Sequence, residues 1–108
     1  GMVVMPCSMG TLGAIAGGFS GNLIHRSSDV ILKEKKKLVL AIRETPLNRI
    51  HIENMLRAHD SGAMICPIMP GYYFKPQSLE EVADSFAWRV MDQLGIEPVS
   101  RKRWDIHG

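Results

Sequence analysis

"MPCSMGTLGAIAGGFSGN", Met5 to Asn22, sets a cysteine, a hydroxyl, a glycine, a second hydroxyl and then a ladder of small residues directly behind the apolar residues Met2 to Met5. A short continuous apolar run is the pattern of a strand buried on both faces of a parallel sheet, and a serine ahead of helix-compatible residues marks a helix start. The stretch therefore reads as a strand handing over to a helix. Whether that unit recurs decides the fold.

It does recur. "MVVMP" (Met2 to Pro6), "LVLAI" (Leu38 to Ile42) and "AMICPI" (Ala63 to Ile68) are all short apolar runs, and they alternate with helical segments in the order strand, helix, helix, strand, helix, strand, helix. From Asn48 to His59 the chain offers an N-cap candidate in Asn48, apolar residues at Ile52, Met55 and Leu56, and a stop at Ser61-Gly62. From Ser78 to Leu94, Ser78 and Glu81 form a capping box, Leu79, Val82, Phe86, Val90 and Leu94 make one stripe, and Gly95 ends it. Alternation of this kind implies an α/β sandwich with right-handed crossovers. On the last helix Arg89 falls on the border of the apolar stripe, while Trp88 points to the acidic face and is expected to be exposed.

At 108 residues the chain fits a single domain, residues 1–108. Its 45% apolar and 22% charged content is that of a folding globular chain, and a net charge of +2 is too small to advertise a nucleic-acid or membrane partner. No run of about 18 apolar residues is present, and the start lacks the layout of a secretory signal. Cys7 and Cys66 each adjoin a proline at the edge of an apolar run, which reads as two buried thiols in a reducing compartment, the cytoplasm. Gly1 ahead of Met2 reads as the remnant of a removed tag. His25, His51, His59 and His107 have no spacing suited to a metal, so none is expected.

Three strand ends carry the candidate chemistry. In "CSMGT" the hydroxyls of Ser8 and Thr11 bracket a glycine at a helix start, which suits a phosphate or the polar edge of a flavin and equally suits a plain turn capped by serine. The residues Gly13, Ala14, Ala16, Gly17 and Gly18 then permit close packing against a sheet, a neighbouring subunit or a ring system. Arg43 and Glu44 follow "LVLAI", and Tyr72, Tyr73 and Lys75 follow "AMICPI". Ligands of open α/β sheets bind beyond the carboxyl ends of the strands, so these three groups converge on one edge. Taken alone, Arg43 and Glu44 also read as a surface ion pair, and Lys33 to Lys37 as a solvated turn.

In combination "PCSMGTLGAIAGG", "SSDVILKEKKKLVLAIRETPL", "IHIENML", "GAMICPIMPGYYFKPQSLEEVAD" and "RKRW" resemble the C-terminal portion of the UbiX family of flavin prenyltransferases, once described as aromatic-acid decarboxylases. The resemblance covers essentially the whole chain. It implies a flavodoxin-like, Rossmann-type three-layer α/β sandwich on a parallel sheet, with the N-terminal part of the family fold absent. The expected consequences are a truncated product, an excised half, or a protein whose other portion is a separate chain, with apolar sheet surface left for another chain to cover.

The implied activity joins a dimethylallyl group from dimethylallyl monophosphate to reduced FMN, giving prenylated FMN for a UbiD-type decarboxylase, usually in a homo-dodecamer. By the same resemblance Ser8, Met9, Gly10 and Thr11 contact FMN, and Arg43 lies against both flavin and prenyl phosphate. Lys33, Tyr73 and Arg89 hold that phosphate, Glu44 assists proton movement and Trp104 lines the allylic pocket. A non-catalytic flavin-binding or scaffold domain of the same fold is the alternative. Oxidative decarboxylation of a cysteine-ended peptide, also found among flavoproteins, fits "RETP" and "YxKPxS" less well.

Overall fold

The computed structural model describes residues 1–68 and 79–95, with residues 79–85 described by their backbone alone. The chain divides into two compact units, Gly1–Pro67 and Ile68–Gly108. The first contains β1 (Met2–Val4), α1 (Met9–Gly17), α2 (Leu23–Lys33), β2 (Leu38–Ile42), α3 (Arg49–Asp60) and β3 (Ala63–Pro67). The second contains α4 (Leu79–Leu94). The element order is the one expected from the sequence, and the architecture is an open α/β sandwich on a parallel sheet.

The sheet has the order β1-β2-β3, with both pairs parallel. Leu40 is the hub of the register, opposite Val4 on one side and Ile65 on the other. All five residues of β2 are buried. Because successive side chains of a strand point to opposite faces, full burial means that both faces of β2 are covered, the mark of a middle layer. On one face Leu38, Leu40 and Ile42 pack with Val4, Ala63, Leu12 and Ile15 of α1 and Ala58 of α3 in a single apolar cluster. The flanking strands are only partly buried, so the expectation of strands buried on both faces holds for β2 alone.

Local chemistry sets the boundaries. β1 stops at Val4 rather than Pro6, since proline has no N–H to give the ladder. Ser8 caps α1, its Oγ accepting from the Thr11 amide at 3.1 Å. That helix closes at Gly18 (φ 76), whose amide donates to Ile15 O while the Phe19 amide donates to Ala14 O. α1 packs against α3, and a Cβ on Gly13 would stand at ordinary contact distance, 3.5 Å, from Asn54 Nδ2. Asn48 caps α3 as the sequence implies, and Ser61-Gly62 ends it, Gly62 standing at φ 114.

In the second unit α4 ends at Gly95 (φ 80), and Phe86 and Val90 are buried, as its stripe requires. Trp88 is half-buried rather than exposed. Ser78, and with it the expected capping box, lies outside the described residues.

The two glycine turns differ in what alanine would meet. At φ 76 Gly18 is in the region a few L-residues visit, whereas φ 114 at Gly62 lies beyond it. Gly18→Ala is expected to lower stability by about 1 kcal/mol, and Gly62→Ala by about 2 to 3 kcal/mol. Urea denaturation of the two variants checks the ranking, and equal losses would contradict it.

Candidate functional site

The site is built where β1 and β2 end. The Cys7 amide donates to Ala41 O at 2.7 Å, carrying the parallel pairing past the end of β1. That bond holds Ser8, at the start of α1, next to the step from Ile42 to Arg43. Two of the three strand ends singled out in the sequence are thereby brought together. The third, with Tyr73, lies outside the described residues, as does Trp104.

At the helix start Ser8 Oγ lies 3.1 Å from Thr11 Oγ1 in a hydrogen bond between the hydroxyls. The first bond inside α1 is from the Leu12 amide to Ser8 O at 2.9 Å, so the amides of Met9 and Gly10 precede the helix ladder. No acidic side chain occupies the first turn, and the positive end of the helix dipole is not neutralised locally. Ser8 and Gly10 are exposed, while Met9 and Thr11 are half-buried, with Met9 packed on the core cluster. A Cβ on Gly10 would meet only Ser8 Oγ, at 3.9 Å. Internal packing therefore does not demand glycine there, and its absence of a side chain leaves the backbone open to an outside group.

Below this turn sits Cys7, 2% exposed, its Sγ 3.6 Å from Ser8 O. Burial pushes its thiol up from 9.0 to about 11, so it is a neutral, apolar floor and not a nucleophile. Cys66 is half-exposed, against the expectation of a second buried thiol. Arg43 and Glu44 are exposed, and among the described residues neither joins an ion pair, which removes the surface-pair reading.

Lys33 is placed elsewhere. It lies in the last turn of α2, ahead of the N-terminal end of β2, whereas Arg43 follows that strand's C-terminal end. Five residues of strand, about 16 Å, separate the two levels. Within one chain Lys33 and Arg43 are not brought to one anion. Residues 34–37 form the solvated turn the sequence suggests, with a Lys36–Glu34 pair at 3.2 Å. Arg89 is half-buried on α4, in the second unit.

Among the described residues no three His, Cys, Asp or Glu side chains gather to hold a metal, and no helix is long and apolar enough to cross a membrane. Two imidazoles have roles the sequence reading missed: His25 and His51 each accept a backbone N–H at the start of their helix, at 3.2 and 3.3 Å. The signal was a repeated Asn-x-x-His, at Asn22–His25 and at Asn48–His51.

Comparison with known proteins agrees with this architecture. The family described as Flavoprotein matches residues 1–89. The chain is 52% identical over 104 residues to the flavin prenyltransferase UbiX of Halalkalibacterium halodurans, covering 96% of this chain and 50% of that protein. It is similar to the solved structure of AnUbiX (PadA1) in complex with FMN and dimethylallyl pyrophosphate, with a TM-score of 0.85 and 43% identity over 94% of this chain and 57% of that one. The dodecameric FMN-dependent UbiX-like decarboxylase of Escherichia coli O157:H7 superposes with a TM-score of 0.87 and 44% identity, over 95% of this chain and 56% of that one. The chain thus spans about half the length of the curated relatives it matches.

Burial of Cys7 has a measurable consequence. Iodoacetamide at neutral pH is expected to leave Cys7 unmodified in the folded protein and to alkylate it once urea unfolds the chain. A thiol whose folded value is raised favours the folded state up to its unfolded value and loses that contribution as pH rises toward the folded one, so stability should fall between about pH 9 and 11. Cys7→Ala should flatten that part of the profile, and an unchanged decline would contradict the assignment.

Proposed function

Because this chain belongs to the flavoprotein family, we propose that it seats FMN at the start of α1 and acts as a flavin prenyltransferase, joining a dimethylallyl group from dimethylallyl monophosphate to the reduced cofactor. The observation that carries this reading is the bond from the Cys7 amide to Ala41 O, which sets the Ser8 turn beside Arg43. The donor set suits FMN: two hydroxyls, two amides ahead of the helix ladder, a side-chain-free position at Gly10 and no acidic side chain in the first turn of α1.

Reduced FMN, when bound, supplies the electron-rich ring that accepts the dimethylallyl group. Ser8, Met9, Gly10 and Thr11 hold and orient that ring. Arg43 lies against both ring and prenyl phosphate, and its guanidinium offsets the negative charge that grows on the departing phosphate without help from a metal. Glu44, adjacent in sequence and exposed, takes up the proton displaced by the new bond. Tyr73 and Arg89 add donors to the phosphate, and the face of Trp104 favours cationic character on the allyl group.

Lys33 joins this set only from a second copy, since the length of β2 separates it from Arg43 within one chain. The proposal therefore includes a homo-oligomer, and the dodecameric relative supports it. The prenylated FMN passes to a UbiD-type decarboxylase, and the place of work is the cytoplasm, a reading supported by two free cysteines. The same separation of Lys33 from Arg43 favours a second reading, a flavin-binding scaffold without transferase activity.

Titration of FMN into the protein, followed by quenching of flavin fluorescence, is expected to saturate near one flavin per chain. Failure to bind would overturn both readings. Prenyl transfer assayed with reduced FMN and either dimethylallyl monophosphate or the pyrophosphate separates them, and Arg43→Ala should lower turnover by about 100-fold. Unchanged turnover in that variant would remove the role given to Arg43.

A further inference from the structure

α2 and α3 each begin with an asparagine cap and an imidazole that accepts a backbone N–H, and only in α3 is that N–H the capping residue's own. Asn22 Oδ1 accepts from the His25 amide at 2.9 Å while His25 Nδ1 accepts from the Gly21 amide at 3.2 Å. Asn48 Oδ1 accepts from the His51 amide at 2.8 Å, and His51 Nδ1 accepts from the Asn48 amide at 3.3 Å. A reciprocal cap of this kind is ordinarily closed by Glu or Gln, whose oxygens accept at any physiological pH. An imidazole accepts at Nδ1 only while that nitrogen is bare.

A proton on Nδ1 would turn the acceptor into a second donor facing the Asn48 N–H. It would also place a positive charge at the end of a helix whose dipole repels one. Among the described residues little nearby offsets that charge. The first turn of α3 holds no acidic side chain, and Glu53 on the next turn is engaged by Arg49 at 3.0 Å. Among the described residues the elements packed against α3 are α1, which has no ionisable side chain, β3, whose one such group is the Cys66 thiol, and, at Ala58, β2, which has none. The segment leading into the helix carries Arg43, of like charge, and Glu44.

Asn48 ends the segment 43–48, and β2 anchors that segment at its other end. We propose that His51 is a positioning residue for Arg43 and Glu44: its neutral imidazole pins the Asn48 amide and so fixes where the segment meets α3, and a proton on Nδ1 releases it. The functional consequence rests on the role proposed above for Arg43, whereas the structural part does not.

The test therefore begins with the backbone. Protection of the Asn48 amide against hydrogen exchange, corrected for intrinsic rates, is followed by NMR between about pH 8 and 5, the range in which histidine changes charge. The wild type is expected to lose protection about fivefold across that range, and His51→Gln, which keeps an acceptor, to hold it throughout. His25→Gln, altered on the other helix, should behave as wild type at Asn48. The nitrogen shifts of His51 at pH 8 give a check without substitution, the expected form being the Nε2–H tautomer. An Nδ1–H tautomer, or the same pH dependence in His51→Gln as in wild type, would overturn the proposal.

FMN affinity supplies the functional arm. It should weaken about fivefold more between pH 8 and 5 in wild type than in His51→Gln. If Asn48 protection follows the imidazole but FMN affinity falls equally in both proteins, His51 has no positioning role toward the flavin seat. If FMN does not bind at pH 8 in either protein, the proposed function fails while the exchange measurement still decides the cap.

Discussion

Leu38–Ile42 has no side of its own to offer water. A strand buried on both faces must find partners for its N–H and C=O groups in neighbouring strands, because an unpaired backbone group in an apolar interior is costly. β1 and β3 meet that demand in parallel register, and parallel pairing in turn requires a crossover between each strand and the next. α1 and α2 make the first crossover and α3 the second. With right-handed connections and strands laid down in one direction, these helices share a face, which is why α1 packs against α3. The sandwich is thus a consequence of one five-residue segment that cannot be exposed.

The same constraint makes the candidate site. Parallel strands deliver their C-terminal ends to one edge, and helix starts follow them there with unpaired amides. What is particular to this chain is the reach of the pairing. Pro6 interrupts the ladder, yet the Cys7 amide rejoins it at Ala41, so that a helix start with hydroxyls and an arginine-glutamate pair become neighbours through a single short hydrogen bond. Cys7 contributes twice, by its backbone as the tie and by its thiol as an apolar floor. The surface above it combines a helix dipole, open backbone at Gly10 and two exposed ions of opposite sign. A ligand with an anionic edge is the type those features stabilise.

Caps hold this geometry at a modest energetic level. Ser8, Asn22 and Asn48 each satisfy an amide that its own helix leaves unpaired. Two of the three caps are completed by an imidazole rather than by an acid or amide, which links the ends of the helices to a proton. Reading the caps as helix-start signals alone misses that link, because the sequence shows the residue type and not the nitrogen it presents.

The order of elements, the starts of α1 and α3 and the glycines that end α3 and α4 could be read from the sequence by itself, since all depend on interactions within a few residues: apolar continuity, a short polar side chain reaching the next turn, a glycine free to take positive φ. Phe86 and Val90 on the buried stripe follow from periodicity in the same way. The family likeness was legible too, because "CSMGT", "RETP" and the segments between them keep their spacing. Tertiary structure alone decided the rest. Which strand lies in the middle, the packing of α1 on α3, the half-burial of Trp88 and Cys66, and the separation of Lys33 from Arg43 all depend on contacts between segments far apart in the chain. Proximity along a sequence places Lys33 and Arg43 ten positions apart. The five extended residues between them put the two side chains at opposite ends of a sheet.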